Sequence, residues 1–171
     1  FLMGHDFARL VGATLLPEQI LLEVDQQLIY LSHGDELCTD DKGFMLFRYW
    51  TRQRWLQRLF FKLPIKWRIG IANKARKQSK TKQASSSYNH MKGDVVQSTV
   101  EQLIKEHPTV NGMVHGHTHQ PHKHQLVISD KSYLRLVLPD WELDQDKPRG
   151  GYAILNSEGI QLIKDWKISQ S

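Results

Sequence analysis

The chain has 171 residues, is 40% apolar and contains one cysteine. That length suits one domain with a sizeable core, and a lone Cys38 excludes an intrachain disulfide and fits a reducing cytosolic setting. No uninterrupted apolar stretch approaches the roughly 18 residues of a membrane-spanning helix. The net charge of +5 hides an asymmetry. From Lys42 to Gly93 there are 14 Lys and Arg and no Asp or Glu, which leaves 9 basic against 18 acidic residues elsewhere. The composition describes an acidic body carrying a cationic insert that holds Trp50, Trp55 and Trp67. The start, Phe1-Leu2-Met3-Gly4-His5-Asp6, has no initiator methionine and no basic-then-apolar secretion pattern. The expectation is a chain that begins inside a larger protein.

In chain order, Phe7 to Val11 reads as the end of a helix stopped by Gly12. Ile20–Val24 and Leu28–Leu31 read as two strands joined by a polar turn at Asp25-Gln26-Gln27. Phe44 to Leu63 carries apolar residues at helical spacing with Arg48, Arg52, Arg54 and Arg58 between them, a helix with a cationic face. Pro64 breaks it, and Ile65 to Lys77 reads as a second basic helix. Ser79 to Tyr88, rich in Ser, Lys and Gln, reads as a surface loop. Asp94 is placed to cap a helix running to His107, with Val96, Val100, Leu103 and Ile104 on one face. Gly112-Met113-Val114 reads as a short buried strand. Leu126–Ile128, Leu134–Leu138, Tyr152–Leu155 and Ile160–Ile163 read as further strands, with turns at Ser129-Asp130-Lys131 and Asn156–Gly159. The pattern implies a sheet-based α/β domain interrupted by a helical basic insertion at 42–93.

The most informative residues follow two of those strands. Leu28–Leu31 ends in Ser32-His33-Gly34-Asp35, and Met113-Val114 runs into His115-Gly116-His117-Thr118-His119. Histidine then glycine after a strand, twice, implies two loops converging on one edge of a sheet. If the backbone stays extended, His117 and His119 project to the same face, and two neutral imidazoles on one side of a tight loop form half of a metal site. His33, His117 and His119 are therefore the candidate ligands. His5, His90, His107, His122 and His124 have no such setting and read as surface residues.

These motifs resemble those of the calcineurin-like metallophosphoesterases, and within them the UDP-2,3-diacylglucosamine diphosphatase family of lipid A synthesis. The segment Ser32-His33-Gly34-Asp35-Glu36-Leu37-Cys38-Thr39-Asp40-Asp41 is similar to one distinctive of that family. His115-Gly116-His117-Thr118-His119-Gln120-Pro121 is similar to another, with Gln120 at a position that is usually Arg. Gly12–Pro17 and Leu136–Trp141 extend the resemblance essentially end to end.

The resemblance implies the C-terminal part of an α+β sandwich of that type. It implies two manganese ions, Mn2+, with His33 and His117 as ligands of one and His119 as a ligand of the other. The family's first Asp-x-His, its bridging Gly-Asp and its Asn-Arg-Asp motifs are expected ahead of Phe1, so this fragment is expected to be inactive alone. It also implies a reaction, cleavage of the pyrophosphate of UDP-2,3-diacylglucosamine to UMP and 2,3-diacylglucosamine 1-phosphate (lipid X), with His117 touching the attacked phosphate. Asp41 and Ser79 match substrate-binding positions. The next two such positions, Asn and Lys in the family, read Gln83 and Ser86 here.

The insert can be read without the family. A basic amphipathic helix with Trp and Phe opposite the charge is the pattern of a helix lying on a membrane surface. Anionic lipid attracts it by about 1 kcal/mol per basic residue near the surface. Phe44, Phe47, Phe60 and Leu63 could line a groove for acyl chains. The alternative is a helical lid packed on the domain with its Arg and Lys solvated. No nucleic-acid motif accompanies the charge, so no nucleic-acid partner is expected. The location implied is cytoplasmic, peripheral on the inner membrane of a Gram-negative bacterium. Two rival readings stand beside the first: another metal-dependent phosphoesterase, or a non-catalytic membrane- or nucleic-acid-binding remnant.

Overall fold

A computed structural model describes residues 5–84, 94–144 and 148–164. The chain divides into two compact units. One comprises residues 16–37 and 95–171 and holds the sheet. The other comprises residues 1–15 and 38–94 and is helical.

The sheet unit is built around five strands in the order β1-β2-β3-β5-β4. β1 (Gln19–Val24) and β2 (Gln27–Ser32) form an antiparallel hairpin. β3 (Gly112–His115) lies parallel to both β2 and β5 (Lys131–Val137). β4 (His122–Ile128) pairs antiparallel with β5 at the edge. Both hairpins close through two residues with left-handed backbones: Asp25 and Gln26 (φ 48° and 66°), and Ser129 and Asp130 (φ 51° and 63°). That is the turn whose twist matches the flanking strands, and Asp tolerates it better than most residues. Asn111 fixes the start of β3 against β2. Its side-chain oxygen accepts from the Leu28 amide at 2.8 Å, and its own amide donates to the Leu28 carbonyl at 2.7 Å.

Strand alternation sends neighbouring side chains to opposite faces. Tyr30, Met113, Leu126, Ile128 and Tyr133 pack with Val100, Leu103 and Ile104 of a helix, Gln97–Glu106. Ile29, Val114 and Leu136 pack on the other face with Ile160 and Leu155 of a separate two-stranded hairpin, β6 (Tyr152–Asn156) and β7 (Gly159–Ile163). All four residues of β3 are buried, as expected for an inner parallel strand covered on both sides. The α/β class read from the sequence therefore holds, as one helix layer, a mixed sheet and a β-hairpin layer.

The helical unit contains α1 (His5–Leu10), α2 (Lys42–Thr51), α3 (Arg54–Lys62) and α4 (Ile65–Ala84); the helix of the sheet unit is then α5. α1 ends where expected, at Gly12 with φ 67°. The single helix read over 44–63 is two. The Thr51 hydroxyl bonds back to the carbonyls of Phe47 and Arg48, a competition that weakens the helix from within, and Gln53 is extended. Pro64 does break the run: Leu63 before it is extended, as a residue preceding proline prefers. The surface loop read from Ser79 is helical as far as Ala84, since its Lys and Gln are good helix formers; residues 85–88 lie outside the described residues.

Asp94 does not cap α5. Val96 holds the cap position, its amide bonded to the Leu37 carbonyl at 3.0 Å. His107, read as a surface residue, is half-buried with its ring 5.5 Å from that of Tyr30. His122 and His124 sit on β4 with ring centres 4.6 Å apart, His122 exposed and His124 half-buried. His90 lies outside the described residues.

Asp41 is the N-cap of α2, accepting the Phe44 amide at 2.9 Å. Replacing a capping Asp by Ala costs typically about 1 kcal/mol. Asp41→Ala should therefore lower stability by roughly that amount, and Asp41→Asn by much less. Denaturant titration of both variants checks this, and equal losses would contradict the capping role.

Candidate functional site

Because β2 and β3 are parallel neighbours, their C-terminal ends reach the same edge of the sheet, and ligand sites in such sheets form beyond that edge. His33 follows β2 by one residue, and His115 is the last residue of β3. The two His-Gly loops are joined directly: the Gly116 amide donates to the His33 carbonyl at 3.0 Å. Gly34 is what allows this approach. Its φ is +99°, and a Cβ there would lie 2.8 Å from His115 Nδ1 and 3.2 Å from the Gly116 carbonyl oxygen. Only glycine meets both demands.

His115 is fully buried. Its Nδ1 lies 3.0 Å from the Gly116 carbonyl oxygen, and the Arg135 guanidinium Nη1 lies 3.1 Å from its Nε2. A guanidinium can only donate. Nε2 must therefore accept, and Nδ1 carries the proton and donates to Gly116. Burial pushes the imidazole down to about 4, reinforced by the positive Arg135 and opposed by the Gly116 carbonyl. The ring is neutral at ordinary pH, and it braces the loop that carries His117 and His119.

That loop is not extended. His117 and His119 both adopt left-handed backbones, with φ 68° and 55°. The expectation that they share a strand face is corrected: a turn presents them. His117 lies against His33, ring centres 5.3 Å apart and edge-on. His119 Nδ1 lies 3.2 Å from an Asp140 carboxylate oxygen. The same oxygen accepts from Arg149 Nη2 at 2.6 Å, and the guanidinium holds the Asp140 carboxyl below the usual carboxylate range.

Of the residues expected at the site, His33 and His117 come together, and His119 is on the same turn as His117. Asp41, Ser79 and Gln83 belong to the helical unit, Asp41 as a cap and the other two on α4. Ser86 lies outside the described residues. Among the described residues no group of three or more His, Cys, Asp and Glu side chains could hold a metal ion. The donor chemistry present fits the imidazole side of a divalent transition-metal site, with two imidazoles brought together.

Sequence reasoning missed His115, Arg135, Asp140 and Arg149 as site residues. Arg135 left a signal: it is an ionised residue at an inward position of an apolar strand, which burial alone does not permit. Asp140 and Arg149 left none, since their pairing spans a loop with no characteristic spacing.

Comparison with known proteins places the chain among relatives of one name. No protein-family model matches the chain. UDP-2,3-diacylglucosamine hydrolase of Bordetella parapertussis is 41% identical over 169 residues, covering 96% of this chain and 64% of the relative. The protein of that name from Ralstonia nicotianae is 42% identical over 162 residues, covering 91% and 59%. The one from Enterobacter sp. is 39% identical over 164 residues, covering 96% and 65%. This chain is homologous to the UDP-2,3-diacylglucosamine hydrolases. It spans 64% of the length of the first of these relatives.

The lowered pKa of His115 has a pH consequence. The unfolded imidazole, with an ordinary value near 6.5, binds its proton before the folded one does as pH falls. The stability linked to His115 is therefore complete above about pH 6.5 and is lost as pH falls toward about 4. In full it is on the order of 3 kcal/mol. NMR titration of the His115 ring should show a midpoint near 4, and a midpoint near 6.5 would contradict its burial.

Proposed function

We propose that the chain supplies the imidazole half of a phosphoester-cleaving site, and that the whole protein hydrolyses the pyrophosphate bond of UDP-2,3-diacylglucosamine to UMP and lipid X. The observation that carries this reading is the pair of His-Gly loops tied together at the ends of adjacent parallel strands. The names of relatives that match 96% of the chain support the substrate.

In this reading His33, His117 and His119 are ligands, and further donors come from parts of the relatives' length that the matched stretch does not span. Bound manganese would neutralise phosphate charge and activate water. The chain's own residues do the positioning. His115, neutral and doubly bonded, holds the turn; His117 faces the phosphate; Asp41, Ser79, Gln83 and Ser86 are the candidates for substrate contact.

The helical unit supports a lipid substrate. No residue of α2 or α3 is fully buried, Phe47, Trp50, Trp55 and Trp67 are each about half exposed or more, and the sequence from 42 to 93 carries 14 Lys and Arg with no Asp or Glu. No helix among the described residues is long and apolar enough to cross a membrane. Such a surface suits peripheral binding to anionic lipid at the cytoplasmic face of the inner membrane, with acyl chains resting on the helices.

A chimera tests the proposal: this chain replaces the matching stretch of the Bordetella parapertussis protein. It should release UMP from UDP-2,3-diacylglucosamine in the presence of Mn2+. His117→Ala in the same chimera should lower turnover by at least about 100-fold, beyond the loss typical for a residue that merely supports a ligand. The chimera should also sediment with anionic vesicles at low salt and be released at high salt. A folded but inactive chimera would favour a non-catalytic module, and failure to sediment at low salt would remove the membrane part.

A further inference from the structure

His119 differs from the other candidate ligands in having an oriented carboxylate behind it. Asp140 follows β5 by three residues, so the partner comes from an element other than the His119 turn. Its Oδ2 is shared between His119 Nδ1 at 3.2 Å and Arg149 Nη2 at 2.6 Å. Arg149 is itself held in place by a two-way backbone pairing with Glu142, at 2.9 and 3.0 Å. Gly150, the next residue, packs on the Trp141 ring so closely that a Cβ there would lie 2.4 Å from it. The Glu142–Arg149 pairing thus brings Arg149 to Asp140 independently of the histidine. The Asp140 side chain is only 16% exposed, whereas those of His119 and Arg149 are 62% exposed.

From this arrangement we infer that Asp140, clamped by Arg149, is a positioning residue that fixes His119 as the Nδ1–H tautomer and leaves Nε2 as its electron-pair donor. An ionised carboxylate only accepts, so the neutral ring must place its proton on Nδ1 to bond it. A free neutral imidazole in water has no such constraint. A carboxylate behind a ligating histidine both selects the donor nitrogen and aims the ring. The site then holds two imidazoles fixed by separate devices. His115 is locked by Arg135 and Gly116 in the interior, and His119 is aimed by the Asp140 carboxylate beside it at the surface. The functional meaning of a fixed Nε2 rests on the phosphoesterase reading; the tautomer itself does not.

The test is long-range 1H–15N correlation on the 15N-labelled chain, at a pH where imidazoles are neutral, without added metal. Wild-type His119 should show a protonated-type Nδ1 and an unprotonated-type Nε2. Asp140→Ala should shift the ring toward the Nε2–H form, while Asp140→Glu, which keeps a carboxylate, should restore the wild-type pattern at least in part. Unchanged His33 and His115 signals in the same spectra show that each variant is folded. An Nε2–H wild-type ring, or an Asp140→Ala ring identical to wild type, would overturn the inference whatever the protein hydrolyses. The expected tautomers together with an inactive chimera would leave the inference standing and remove the phosphoesterase reading.

Discussion

One backbone hydrogen bond organises the site: the Gly116 amide donates to the His33 carbonyl. It joins loops that are some eighty residues apart in sequence, and it can form only because β2 and β3 run parallel side by side. Strand pairing sets the two loop starts at one edge, and this bond then fixes their separation. Gly34 supplies the room, since any side chain there would strike the His115 ring. His33 and His117 meet as a consequence, without any direct bond between them having to hold the loops.

The electrostatics follow from the same packing. Closing the loops over His115 removes it from water, which disfavours its charged form. Arg135 beneath it makes protonation still less favourable. A neutral imidazole can accept from the guanidinium, and the accepted bond lets a cation sit under the sheet's edge without an unsatisfied donor toward the ring. The buried pair is therefore a support for the turn above it. At the surface the logic reverses: Asp140 remains ionised beside Arg149 and offers its charge to His119. Interior and surface rings are held by opposite means, one by exclusion of charge and the other by its presence.

Much of this was legible in the sequence. Short apolar runs bounded by turn residues located β1 to β7 within a few residues, because a strand covered by other layers is apolar along its length and ends where turn residues begin. The repeated strand-His-Gly pattern anticipated that the two loops converge, because loops at the ends of adjacent parallel strands reach one edge. What failed was local geometry. The extended pairing of His117 and His119 gave way to left-handed backbones, in a turn where the Thr118 amide donates back to the Gly116 carbonyl. The split of the helix at Thr51 depends on hydroxyl-to-carbonyl bonds that periodicity does not register. Asp94 looked like a cap, but the Leu37 carbonyl already engages Val96, a tertiary contact that overrides the local signal. Asp41 was read as a substrate contact and is also a helix cap; the two roles can coexist, since a carboxylate has acceptor capacity for both.

The account stands on the bond between the two His-Gly loops, and amide hydrogen exchange reads that bond directly. The Gly116 amide lies in a connecting segment beyond the end of β3, where an unbonded amide would exchange at close to the free-peptide rate. If the loops are tied as described, it should be protected to a degree comparable with the amides of β3 itself and should lose that protection only when the sheet opens. Exchange of Gly116 at an unprotected rate, while Met113 and Val114 remain protected, would contradict it.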